Sequence, residues 1–426
     1  MLYFAEGSEK GHFDEVKLRK AFYKGLDKLG KRRKVLAIPP DFTRYPSQAG
    51  ILTRMAWDYY GDALTDILPA LGTHTPMSEA EINKMFPGIP LNLFREHKWR
   101  TDVVTLGEVP AWFVEKVSEG LVSYSWPAQV NKLLVEDGFD LILSLGQVVP
   151  HEVIGMANYN KNIFVGTGGS KGINRSHFLG AAYGMERIMG RADNPVRQVL
   201  NYASEHFASH LPIVYVHTVV SKDEQGSLKI RGLYMGNDQE CFRKAAELSL
   251  KVNFNLLDKP LQKVVVYLDP HEFKSTWIGN KSIYRTRMAI ADGGQLIVLA
   301  PGLKEFGEDG QIDSLIRKYG YRTTPEILQY THESIELQKN LSAAAHLIHG
   351  SSENRFSITY CPGHLSKSEI ESVNFGYAPL EEMLRKYNPE KLKDGFNLMP
   401  DGEEIFFISN PALGLWASRN RFRNSK

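Results

Sequence analysis

The sequence predicts an α/β protein built as two α/β domains with mixed, mostly parallel sheets and an interdomain cleft. Short apolar runs bounded by turn residues alternate with amphipathic stretches, the pattern of strands covered by helices. A chain of 426 residues with 42% hydrophobic content also exceeds what one ordinary core accommodates. The apolar runs are Lys34 to Ile38, Ala63 to Leu71, Leu141 to Leu145, Ile163 to Val165, Ile213 to Val220, Val264 to Leu268 and Leu296 to Ala300. Helices are expected at Met77 to Met85, Pro127 to Glu136, Gln239 to Asn253 and Ser282 to Ala291, with a long helical pattern from Thr324 to His349. A helix end, a proline and a fresh strand meet at Leu256 to Pro260, which puts the domain boundary after Asp258 and gives domains 1–258 and 259–426. The basic stretch from Ser418 to Lys426 is expected to be loose.

Charge and cysteine content narrow the function classes. With 51 basic and 49 acidic residues the net charge is only +2, so no electrostatic excess points to nucleic acid or an anionic membrane. Two cysteines, Cys241 and Cys361, build neither a disulfide scaffold nor a thiolate metal cluster, and they suit a reducing cytoplasm. The N-terminal stretch lacks the apolar core of a signal peptide, and no segment approaches the ~18 apolar residues of a membrane span. A soluble, cytoplasmic chain is the expectation.

Three strand ends carry unusual polar content. The first run leads into Pro40-Asp41-Phe42-Thr43-Arg44, the second into Gly72-Thr73-His74-Thr75-Pro76, the third into Val149-Pro150-His151. Carboxyl ends of neighbouring strands are where open α/β sheets place ligand sites, because loops and helix N-termini converge there. Taken singly, Asp41 caps a turn, Arg44 pairs on the surface and a histidine caps a strand. A fourth cluster follows, with His151 and Gly155, then Lys161, the run Gly166-Thr167-Gly168-Gly169-Ser170-Lys171, and His177. The glycine run reads equally as a phosphate cradle or as a tight turn.

In this constellation the chain resembles the nickel-dependent lactate racemases. Asp41 and Arg44 match that family's Asp-x-x-Arg loop, His74 its Gly-Thr-His loop, and His151 with Gly155, Lys161 and His177 its histidine-lysine-histidine segment. The resemblance runs from about Val35 to Lys318. It implies a racemase or epimerase that inverts C2 of a 2-hydroxycarboxylic acid by hydride abstraction and return. The implied cofactor is the nickel-pincer nucleotide, a pyridinium-3-thioamide-5-thiocarboxylic acid mononucleotide linked to Lys161, with nickel held by His177. The resemblance also implies His74 and His151 as paired acid and base, Arg44 on the substrate carboxylate, Asp41 and Thr43 at the cofactor, and cofactor maturation proteins as partners.

The match departs from the family in two places. Met156 to Asn160 replaces the family's usual lead into the attachment lysine, which leaves Lys171 as a rival anchor. In the second domain Arg285 and Met288 stand where the family has a glutamine and a lysine. An extra guanidinium there suits a substrate larger or more acidic than lactate; otherwise Arg285 and Arg287 are solvated helix charges. Trp277, Lys281 and His271 are candidates for the far wall of the cleft, and Cys361 to His364 reads as a turn, two ligands short of a zinc site. Two other readings stay open: a three-histidine zinc hydrolase or lyase on His74, His151 and His177, and a non-catalytic organic-acid binding protein.

Overall fold

A computed structural model describes residues 1–223 and 225–424. The chain divides into two compact units, one of Met1–Ser176 with Met189–Asn253, the other of His177–Ile188 with Phe254–Lys426. The division after Asn253 precedes the expected boundary at Asp258, and it places His177 in the second unit rather than with the other site histidines. Glu186 accounts for the transfer of the 177–188 segment. Its carboxylate meets Arg287 at 3.3 Å, Arg355 at 2.8 Å and Arg421 at 3.5 Å, all three in the second unit.

The first unit contains β1 (Leu2–Gly7), β2 (Val35–Ile38), β3 (Leu64–Ile67), β4 (Val103–Val109), β5 (Trp126–Asn131), β6 (Leu141–Gln147), β7 (Pro150–His151), β8 (Gly155–Met156), β9 (Ile213–Lys222) and β10 (Leu228–Gly236). Six of them form one sheet in the order β1-β10-β9-β6-β2-β3. β9, β6, β2 and β3 run parallel, while β10 and β1 add an antiparallel edge. From β2 the chain goes to β3 on one side and later returns to β6 on the other. That reversal creates the crevice at the strand carboxyl ends where such sheets bind ligands. One face is sealed by Leu18, Phe22 and Leu26 of the helix Glu15–Asp27 and by Leu52 and Met55 of the helix Ala49–Tyr60, packed with Val35, Ala37, Leu143 and Val216. Each fully buried side chain of this kind contributes roughly 1.5–3 kcal/mol of transfer free energy.

The second unit has β11 (Asn255–Leu257), β12 (Leu261–Tyr267), β13 (Ile290–Ala300), β14 (Ser357–Pro362), β15 (Gly376–Tyr377), β16 (Gly395–Leu398), β17 (Glu404–Ile408) and β18 (Trp416–Ser418). Its main sheet has the order β15-β14-β13-β12-β17-β16, parallel except for the edge pair β16 and β17. Val265, Ile297, Leu299 and Phe407 lie in its core.

Several expected elements differ. Residues 127–131 form a strand, because β5 pairs with β4 and buries Ala128 and Val130 on alternate positions; only Leu133–Glu136 is helical. The run Ile163 to Val165 lies in a π-helical turn, Asn162–Gly166, since a three-residue apolar run does not distinguish strand from buried turn. Helix Lys281–Tyr284 is short, and β13 begins at Ile290, inside the expected Ser282 to Ala291 helix. The 324–349 pattern is cut into Thr324–Glu333, Ile335–Lys339 and Leu341–His349, with Ser334 and Asn340 capping the second and third. The basic stretch is ordered as β18, paired with β11, followed by the helix Arg419–Asn424; Ser425 and Lys426 lie outside the described residues. Among the described residues no helix is long and apolar enough to cross a membrane.

Each unit buries a neutral histidine. Burial holds His217 in the first and His346 in the second down at about 3. A folded-state value below the ordinary 6.5 means that both lend stability fully above that pH and lose it as pH falls toward 3. Urea melts between neutral pH and pH values near 4 should lose up to ~1.4 kcal/mol per pH unit for each histidine. His346→Gln should flatten that slope, and a slope unaffected by the substitution would contradict the assignment.

Candidate active site

Asp41 opens the loop after β2 with a side chain only 6% exposed. A carboxylate so placed requires donors. Thr43 Oγ1 donates to its Oδ1 at 2.6 Å, and His74 Nδ1 bonds its Oδ2 at 2.7 Å. Burial pushes the Asp41 carboxyl up, but the His74 hydrogen bond and charge, the Thr43 hydroxyl and the charge of Arg44 outweigh it and hold the group below its ordinary value. Because a carboxylate only accepts, His74 Nδ1 carries the hydrogen and Nε2 keeps its lone pair when the ring is neutral. The His74 side chain is 53% exposed.

His151 has the opposite polarity. It is buried in the small β7 and β8 ladder, where Val153 N–H donates to its Nδ1 at 3.1 Å. The neutral ring therefore carries its hydrogen on Nε2. Glu152 Oε2 lies 3.9 Å from the same Nδ1.

Lys161 is partly buried and sits in the field of this cluster. Burial first, then the Arg44 charge, lower its amine to about 8, against the pull of Glu152 and Asp41. Asp41, Thr43, Arg44, His74, His151 and Lys161 are thus all carried by the strand-end loops of the first unit. Lys171, the rival anchor, is solvent-exposed.

The approach to Lys161 is strained. Asn158 and Tyr159 adopt φ of 67° and 60°, successive left-handed residues that cost on the order of 1–3 kcal/mol each. Side-chain bonds hold them there: Asn158 Nδ2 to His217 Nδ1 at 3.0 Å, and Asn160 Nδ2 to Asn201 at 2.8 Å and Ser204 at 3.1 Å. Beyond the lysine, Asn162 Nδ2 donates to Ile38 O at 3.0 Å and Ser144 Oγ at 3.1 Å, pinning the turn to the ends of β2 and β6. None of His217, Glu152 or Asn162 stands out in the sequence. The one available signal was three asparagines alternating around a lysine.

The glycine run is demanded by packing. A Cβ at Gly168 would come within 1.9 Å of Phe164 O, and one at Gly169 within 2.5 Å of Gln129 Oε1. Buried His97, its pKa lowered by burial, bonds Gly168 O through Nε2 at 3.0 Å and faces Asn131 Nδ2 through Nδ1 at 3.0 Å. Gly72, at φ of 60°, donates its N–H to Gly166 O at 2.7 Å and so ties the His74 loop to the same turn.

His177, Trp277, Arg285 and Met288 belong to the second unit. Met288 is 1% exposed and bridges to Ala417, so it is a core residue and no substrate wall, contrary to expectation. Arg287 is buried against Glu186 and is not a solvated helix charge. Arg285 is partly buried, and Trp277 packs against His346 in a tilted arrangement with ring centroids 4.5 Å apart. Among the described residues no three His, Cys, Asp or Glu side chains are disposed to hold a metal ion, which leaves the three-histidine zinc centre unsupported.

Residues 19–187 match the lactate racemase N-terminal domain. Residues 19–187 are thus similar to that domain of the lactate racemases. A solved structure of a Thermotoga maritima protein matches with a TM-score of 0.79 at 25% identity, covering 97% of this chain and 100% of that one. The lactate racemase apoprotein from Thermoanaerobacterium thermosaccharolyticum matches in fold, with a TM-score of 0.68 at 18% identity, covering 98% of this chain and 94% of that one. No curated protein matches the chain in sequence. The Asp41, His74, His151 and Lys161 cluster lies wholly inside the stretch matched to the lactate racemase domain.

If glycine at 168 serves packing, Gly168→Ala should destabilise the first unit by about 1–3 kcal/mol or more in a urea melt. A neutral substitution would return the run to the phosphate-cradle reading.

Proposed function

We propose that the chain inverts the hydroxyl-bearing carbon of a 2-hydroxycarboxylic acid as a nickel-pincer nucleotide-dependent racemase or epimerase. The observation that carries this reading is the opposed polarity of two histidines, His74 with a free Nε2 lone pair and His151 with an Nε2 hydrogen, in loops that also bring Arg44 and Lys161 together. The donor set fits the cofactor that the family implies. Lys161 offers an amine depressed to about 8, unprotonated often enough to form a covalent amide-type link. Held by Lys161 and His177, such a nucleotide would supply reversible hydride-transfer chemistry at the α carbon. The proposal keeps His177 as the protein ligand to nickel, for which neutral imidazole is well suited.

The chain's own residues supply the remainder. Arg44 holds the substrate carboxylate through its planar fork, fixing orientation as well as charge. His74 Nε2 takes the hydroxyl proton, and the buried Asp41 carboxylate stabilises the imidazolium that results. To deliver its Nε2 hydrogen to the substrate oxygen, the His151 ring must first take a second proton on Nδ1 in place of the Val153 N–H contact, and Glu152, 3.9 Å from that nitrogen, is placed to stabilise the imidazolium. The neutral ring left behind carries its hydrogen on Nδ1, so its Nε2 can act as base toward the opposite enantiomer. Loading the nucleotide is assigned to maturation proteins, so chain made without them is expected to be inactive.

The test is conversion of single enantiomers of lactate, malate, phenyllactate and gluconate by chain matured with the cofactor. At least one should lose optical purity. His74→Gln should lower that rate by roughly 10²–10⁴, the usual worth of a general base, with substrate binding retained. Binding without inversion in the loaded wild type would favour the organic-acid binder instead.

A further inference from the structure

The helix Pro195–Phe207 carries an arginine with no carboxylate partner among the described residues. Arg197 is fully buried. Its Nη2 donates to Met156 O at 2.6 Å and to Asn158 O at 3.3 Å; its Nη1 donates to Asn158 O at 3.3 Å and to Asn160 Oδ1. Every acceptor is uncharged, and every one lies in the five residues leading to Lys161. The guanidinium also sits 4.4 Å from the Phe242 ring centroid and 5.7 Å from that of Tyr159. Its Nε has no partner among the described residues.

We propose that Arg197 is the positioning residue for Lys161: its guanidinium clamps the 156–160 segment in its left-handed conformation and thereby keeps the lysine amine partly desolvated and ready to react. The same helix grips the segment at further points. Asn194, its N-cap, donates to Ile154 O at 3.0 Å, and Asn201 and Ser204 hold the Asn160 amide. With Asn162 bonded to the sheet on the other side, Lys161 is braced by both neighbours. A planar fork is what several differently directed acceptors require, and an ammonium does not supply it. A second effect has the same sign, because the uncompensated positive charge of Arg197 disfavours protonation of Lys161. Burying an unpaired cation is costly, and the clamp gives that cost a use.

The inference rests on Lys161 being the reactive lysine of the proposed function, yet it is testable without cofactor. Full-length unloaded chain is pulsed with acetic anhydride over a range of pH, and acetylation of Lys161 is quantified by peptide mass spectrometry with the exposed Lys171 as reagent control. Wild-type Lys161 should reach half-maximal rate near pH 8. In Arg197→Met the midpoint should rise by about one unit or more as the amine becomes solvated. Arg197→Lys, which keeps charge and loses the fork, should rise by less. Should Arg197→Met fail to give a native near-UV circular dichroism spectrum, Asn160→Ala, which removes one Arg197 acceptor together with the Asn201 and Ser204 contacts, should shift the midpoint the same way. An unchanged Lys161 profile in the folded variant, or a wild-type Lys161 that titrates like an ordinary solvated lysine, overturns the proposal. A wild-type midpoint near 8 in a chain that acquires no nucleotide on maturation would sink the proposed function and leave the clamp standing.

Discussion

A carboxylate buried at the end of a central parallel strand must be met by donors, and the way Asp41 is met organises the candidate site. Its two oxygens take one hydroxyl and one imidazole, which joins the loop after β2 to the loop after β3. The bond sets which nitrogen of His74 faces outward, and the local charge balance keeps the carboxylate ionised. Without this pair His74 would be an exposed histidine on a glycine-containing loop with no defined tautomer. The chemistry assigned to the ring therefore derives from burial of its partner more than from the ring's own surroundings.

Lys161 illustrates the same logic with a cation. A lysine in an open loop is protonated at neutral pH and unreactive; here two left-handed residues, three asparagine side chains and the ends of β2 and β6 hold it where burial and the Arg44 charge disfavour its protonated form. The strain in that segment is offset by hydrogen bonds from the Arg197 guanidinium and to neutral groups, His217 among them. Rigid strands thus support a locally strained segment that on its own would relax.

Much of this was legible in the sequence, for identifiable reasons. β2, β6, β9 and β12 are dense apolar runs ending in turn residues, and the loops after β2, β3 and β6 announce themselves by charged and imidazole side chains in place of ordinary turn chemistry. The strand 126–131 was not legible, because its partner β4 decides the outcome and Pro127 with a modest apolar content reads like a helix start. Nor was the transfer of residues 177–188, which depends on Glu186 meeting arginines 101, 169 and 235 positions away. Met288 was misplaced because a family position was carried across without the register of the strand that buries it. Arg197 and His217 each look like one polar residue in an amphipathic element, and their roles arise only from where the 156–161 segment crosses them.

Nitrogen-15 NMR of histidine-labelled chain, recorded above the ordinary histidine pKa of about 6.5, reports directly which ring nitrogen holds the hydrogen. The account predicts His74 as the Nδ1–H tautomer and His151 as the Nε2–H tautomer, with the His74 signal alone changing on Asp41→Asn. Finding both rings in the same tautomer, or a His74 spectrum indifferent to residue 41, would contradict the opposed polarity on which the proposed chemistry is built.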